Sequence, residues 1–303
     1  MGDPLLVNNN YFWGIVNINV KMEHKNEMEI LLKEYGRAES VSWLMDRIEK
    51  LAIEKSAKDL FMTYSILSSK FDSEEPVSFA EAYGIHSHYF KIHSANLLQI
   101  ARMYLLSEVL RQDETFYTPK VANIIEVADT GELETFLKYL VVLPNPGAYR
   151  KTAVEALRTN IAVVFDAIAL NNPYPAQHFN DQQWNQMYLK AAFMERDLSQ
   201  IEAVDQRANE DLSRIIFDYA HERWAAGRTI DPLFWRPVST FLNEERLKDM
   251  KRLLDSENIF ENRAGALCCH HSGNEKALKV LDQYLEMKKK IANKEIEWNT
   301  LKH

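Results

Sequence analysis

The sequence predicts an all-α fold, and three observations carry that prediction. Only 9 Gly and 9 Pro occur in 303 residues, few for a β-fold that must turn tightly at short intervals. Leu, Ala, Glu and Lys dominate instead, side chains that lose little freedom in a helix. Apolar residues also recur at three- and four-residue spacing through most of the chain, the period of one helix face. Connections are mostly short, so consecutive helices are expected to pack as antiparallel neighbours. The expected architecture is a curved stack of helical hairpins, HEAT-like but without a clean repeat.

Residues 1–21 differ from the rest. Tyr11 to Val20 is apolar, β-branched and partly alternating, which fits either one short strand or a chain whose true start is Met22. The expected organisation is this atypical segment, an N-terminal helical part over 22–145, and a helical part over 146–303 continuous with it. Helices are predicted over 26–35, 40–53, 56–70, 77–83, 87–112, 118–129, 131–142, 148–170, 181–195, 205–226, 232–241, 243–255, 259–272 and 274–300. Ser40 and Ser56 are candidate N-caps, and Asn180 with Gln183 makes a capping-box start. Leu143-Pro-Asn-Pro-Gly147 and Asn171-Asn-Pro-Tyr-Pro175 are breakers. Gly227 stands where a glycine ends the 205–226 helix. Arg263 to Leu278 reads as one helical pair around Gly273.

Charge and composition exclude several functions. The net charge is −8, from 44 acidic and 36 basic residues, and a nucleic-acid binder needs a basic track for phosphate. Lys288-Lys-Lys290 is followed by Glu295 and Glu297 and reads as a solvated face. The two cysteines, Cys268 and Cys269, are adjacent and make no disulfide framework, which fits a reducing cytoplasm. No apolar run approaches the ~20 residues that span a bilayer, and Met1-Gly-Asp-Pro opens no secretory signal. The expected location is cytoplasmic.

The helical faces supply the candidate site. In the 148–170 segment, Val154, Leu157, Ile161, Val164 and Ile168 form a stripe, with Asn160 on its margin bonding a neighbouring helix end. The 205–226 segment is apolar on two sides, through Leu212, Ile216 and Tyr219 and through Phe217, Ala220 and Trp224. Arg223 projects along the first stripe, and a buried guanidinium needs an anion. Glu195, in line with Trp184 and Tyr188, is the expected partner. Arg207–Asp211 and Arg214–Asp218 read as surface pairs at i,i+4. Asp218 and His221 share a spacing used by metal ligands, but no second copy completes a site. Cys268-Cys-His-His271 fans around a helix axis and cannot close on one ion. His270 shares a face with Leu267 and Arg263. No phosphate loop, nucleophile elbow or His-Glu-x-x-His is present. Neither cofactor nor metal is called for.

Arg158-Thr-Asn160, Asn172-Pro173, Trp184-Asn185, Lys190, Asp205 with Arg207-Ala-Asn209, the Asp218–Arg228 block and Trp235-Arg236 together resemble the EboA family, a bacterial group named from a small gene cluster. The resemblance covers roughly residues 140 to 285 and carries no catalytic residue over. It implies an all-helical accessory protein of a small-metabolite biosynthesis or export pathway, with a pathway intermediate or the ebo-cluster enzymes as partners. The alternative is a helical enzyme acting on a phosphorylated or prenylated metabolite through Arg158, Lys190, Arg223 and His221. The candidate ligand-binding set is Arg158, Asn160, Trp184, Lys190, Glu195, His221, Arg223, Trp235, Arg263 and His270. Burial of Asn160, Glu195 and Arg223 is the structural expectation attached to it.

Overall fold

The computed structural model describes residues 24–78 and 84–301. Both readings of residues 1–21 therefore lie outside the described residues, as does most of the helix predicted over 77–83. Among the described residues there are helices and no strand, and two residues, Pro76 and Asn96, form an isolated bridge. The all-α prediction holds.

The chain divides into two compact units, residues 1–164 and 165–303. In the first run α1 (His24–Tyr35), α2 (Ala38–Glu54), α3 (Ala57–Ile66), α4 (Ile85–Ile92), α5 (Leu97–Gln112), α6 (Glu114–Ala122), α7 (Ile124–Val127), α8 (Thr130–Lys138) and α9 (Arg150–Ala156). Helix α10 (Ala162–Ala169) carries the chain into the second. There follow α11 (Tyr174–His178), α12 (Asp181–Phe193), α13 (Val204–Arg207), α14 (Glu210–Ala225), a 3₁₀ segment Pro232–Phe241, α15 (Arg246–Leu254), α16 (Ile259–His271), α17 (Glu275–Leu281) and α18 (Leu285–Ala292).

Helix α5 is the axis of the first unit. It is buried without a break from Ile100 to Leu110 and meets α1, α2, α6 and α8. A helix apolar all round has no surface side, so its neighbours must cover every face. Its buried charges are matched: Arg102 lies 3.7 Å from Glu132 and 5.2 Å from the Tyr64 ring. Tyrosine hydroxyls tie the surrounding helices together, Tyr64 donating to the Glu132 carbonyl at 2.9 Å and Tyr117 to the Leu51 carbonyl at 2.6 Å.

Three helices predicted as single rods are broken, each at a residue that bonds its own backbone. The 87–112 segment divides at Asn96, whose side chain accepts from Gln99 N while Gln99 Oε1 accepts from Asn96 N. The 148–170 segment opens at 157–161, where Thr159 Oγ1 accepts from Ile161 N at 3.1 Å. The 205–226 segment divides at Asn209, the N-cap of α14. Asn and Thr offer the backbone a local partner that competes with the helix. Likewise the 232–241 segment is 3₁₀ rather than α: Pro237 has no N–H to give the Leu233 carbonyl, which accepts from the Tyr188 hydroxyl instead. The predicted 274–300 helix is two short helices and a 3₁₀ turn.

The core of the second unit is aromatic. Trp184, Trp235, Tyr188, Tyr174 and Phe165 are fully buried. Tyr188 stacks on Phe234 with 5.9 Å between centroids and donates to the Leu233 carbonyl at 3.1 Å. Helix α16 packs against the 3₁₀ segment and against α15. The approach to α15 is close because Gly265 has no side chain; a Cβ there would stand 2.9 Å from Leu253 Cβ and 3.1 Å from the Met250 carbonyl.

Candidate functional site

Most of the sequence words that carry the family resemblance resolve into architecture. Arg207 does not pair with Asp211, because the break at Asn209 puts the two in different helices. Its guanidinium instead donates to the carbonyls of Pro175, Ala176 and Phe179 at 3.2, 2.7 and 2.9 Å and lies 5.0 Å over the Trp184 ring. It thereby closes the C-terminal end of α11, where the Pro175 carbonyl also accepts from Phe179 N and the later carbonyls run past the last helical donors. Asn185 and Asn209 exchange amide hydrogen bonds of 3.0 and 2.8 Å, and Asn209 also caps α14 through Leu212 N. Arg236 grips Asp205 with two bonds of 2.9 and 2.6 Å. Asn172 donates to the Ala167 carbonyl and accepts from Tyr174 N. Arg214–Asp218 forms as expected, with both partners exposed.

The predicted site residues do not converge as a set. Asn160 and Glu195 are exposed and Arg223 is half-buried, so the burial expectation fails for the first two and is only partly met by the third. Asn160 sits in the open turn after α9, not on a helix stripe, and Ile161 beside it is 51% exposed. Glu195 lies beyond the end of α12 in the left-handed region (φ 54°) and makes no ion pair with Arg223. Arg223 is instead consumed at its own helix end, donating twice to the Thr229 carbonyl at 3.1 and 2.8 Å. Arg158 forms a surface pair with Glu155. Trp184 and Trp235 are core residues. Lys190 lies 5.6 Å from the Phe165 ring centroid, and burial lowers its pKa. Arg263 lies over the Phe260 ring. His270 is exposed and packs edge-on against His271, whereas the buried run of α16 stops at Cys269. The inner-face reading of His270 is thus corrected: it falls in the last turn, past the covered stretch.

A different arrangement emerges where α14 faces α15. Three side-chain contacts succeed one another along the two helices in the same direction. Arg246 lies 5.0 Å over the Phe217 ring, His221 Nε2 stands 3.0 Å from Asp249 Oδ2, and Arg252 lies 4.2 Å over the Trp224 ring. Steps of four and three residues on α14 and of three and three on α15 keep these groups on one face of each helix. Trp224 is further fixed by Trp235, whose ring is stacked at 5.5 Å.

The last of these contacts opens into a cleft of about 370 Å³, lined by Trp224, Gly227, Arg228, Thr229, Arg252, Leu253, Ser256 and Glu261. Its first wall is the end of α14. Gly227, at φ 66°, donates to the Trp224 carbonyl and Arg228 N donates to the Arg223 carbonyl, the paired bonds of a left-handed helix stop. Its second wall runs from the last turn of α15 to the first turn of α16, where Ser256 Oγ donates to Glu261 at 2.6 Å. The volume is within the range of small-molecule sites. Of the predicted residues, His221, Arg223 and Trp235 border this region through their contacts with Trp224 and Thr229. Arg228, Arg252, Ser256 and Glu261 are missed. Only Arg228 had a sequence signal, its place directly after the Gly227 helix stop.

A protein-family model described as metabolite traffic protein EboA matches residues 25–239. The matched span takes in residues 25–164 of the N-terminal unit, most of which lies outside the roughly 140–285 of the sequence resemblance. The Trp224–Thr229 wall of the cleft falls inside it and the Arg252–Glu261 wall beyond it. No curated protein and no solved structure matches the chain.

Proposed function

The chain belongs to the EboA family, and we propose from that premise that it is an accessory, non-catalytic carrier that holds a small metabolite in the cleft between α14, α15 and α16. The observation that carries this reading is the Trp224 wall. Trp224 lines the cleft with its indole stacked on Trp235 and covered by the Arg252 guanidinium, so it presents a fixed aromatic edge at the rim of an open cleft of small-molecule size, and a rigid aromatic side chain orients a ligand at low entropic cost. The elaborate polar bonding of Arg207, Asn185, Asn209 and Arg236 supports the same reading, because it stiffens the scaffold that presents α14. A metabolite held here could be passed to enzymes of the same pathway.

One observation favours the enzyme reading. The His221–Asp249 contact lies one helical turn from Trp224, and a carboxylate-oriented imidazole is the usual form of a general base. A single experiment separates the two. Small-molecule extract of the host is incubated with the purified protein, and retained and free species are followed by mass spectrometry over time. A carrier enriches one species unchanged, and Trp224→Ala abolishes the enrichment. Consumption of a species, lost in His221→Gln, establishes the enzyme instead.

A further inference from the structure

We infer that the ligand of this cleft carries an oxyanion, a carboxylate or phosphate group, on an apolar planar body; the inference rests on the carrier reading and deepens it. The cleft is cationic in an acidic protein: two arginines face one glutamate on its walls, while the chain as a whole carries −8. Neither guanidinium is neutralised by a described residue. Among the described residues, the ion pairs engage Arg102, Arg111, Arg158, Arg196, Arg207, Arg214, Arg236 and Arg246, and Arg223 is spent on the Thr229 carbonyl. Arg228 and Arg252 make no ion pair, although both line the same cavity.

Arg252 is nevertheless held in place. Its guanidinium lies 4.2 Å over the Trp224 ring, an arrangement that orders the side chain while leaving its N–H edge available for a planar or tetrahedral oxyanion. Arg228 is anchored through its backbone by the α14 helix stop. The one carboxylate present, Glu261, already accepts from Ser256. Leu253 and the Trp224 indole supply the apolar surface for the rest of the ligand. One guanidinium ordered on an aromatic ring and a second carried on an anchored backbone match an anionic headgroup with an apolar body behind it.

Calorimetric titration of the full chain with phenyl phosphate, benzoate and neutral benzamide tests this, since the three share one ring and differ in headgroup. The expected result is binding of phenyl phosphate or benzoate, weakened about tenfold or more by Arg228→Gln and by Arg252→Gln. Arg214→Gln, which removes an exposed arginine elsewhere on α14, is expected to leave the affinity unchanged. Preference between the two anions identifies the headgroup. Benzamide binding as tightly as the anions, no binding of any probe, or equal weakening by Arg214→Gln overturns the inference. Retention of a neutral metabolite from host extract, lost in Trp224→Ala, would overturn the oxyanion while leaving the carrier intact.

Discussion

Replacing Arg207 by methionine tests the claim that the family motif builds the scaffold. The guanidinium donates to three carbonyls at the end of α11 and covers the Trp184 ring, and only 15% of its side chain is exposed. A hydrogen bond to a charged group is worth about 1.5–3 kcal/mol, discounted here to about 1 kcal/mol each because three carbonyls share one part-buried guanidinium. The cation over the ring adds roughly 0.5–1 kcal/mol. The ion pair to Asp181 adds little, because that carboxylate is 74% exposed. Arg207→Met is therefore expected to cost about 3–4 kcal/mol, a melting temperature lower by roughly 10 °C. Arg207→Lys should lose most of this, since one ammonium cannot span three carbonyls. Asp181→Ala should cost less than about 0.5 kcal/mol. Urea and thermal unfolding followed by circular dichroism measure all three. A methionine variant no less stable than Asp181→Ala would refute the reasoning.

Gly265→Ala should destabilise by about 1–3 kcal/mol, because the new methyl meets Leu253 Cβ at 2.9 Å and forces α15 from α16; Gly227→Ala, at φ 66° with open space around it, should cost about 1 kcal/mol from backbone strain alone; thermal melts compare them. His93 is held neutral, its pKa lowered to about 4 by burial and then by the Lys138 cation. The unfolded chain takes up that proton near pH 6.5, so stability is full above pH 6.5 and falls as pH drops from 6.5 towards 4, by no more than about 3 kcal/mol. His93→Gln should flatten that part of the pH–stability curve, and an unchanged slope would show another group at work.

Several features were legible from sequence because they are local. The i,i+4 pair Arg214–Asp218, the Gly227 helix stop and the Asn180 capping box with Gln183 all form as read. The helix breaks were legible in principle, since Asn96 with Gln99 and Asn209 are ordinary caps and Thr159 makes a local side-chain turn. They were overlooked because the apolar period continues across them, and periodicity reports the buried face rather than chain continuity. The acceptors of Arg207 lie 28 to 32 residues away and are backbone atoms, so no pattern of side chains announces them. The cleft is the extreme case. Arg252 meets Trp224 only because α15 lies beside α14 at one register, set by the 3₁₀ segment between them.

Under the proposed function this protein carries a metabolite beside Trp224. Native mass spectrometry of the protein isolated from its own host, beside the same sample denatured, tests it most directly. A carrier gives a discrete mass increment that is released on denaturation and absent from a folded Trp224→Ala variant. A bare polypeptide mass, or an increment that survives that substitution, would contradict it.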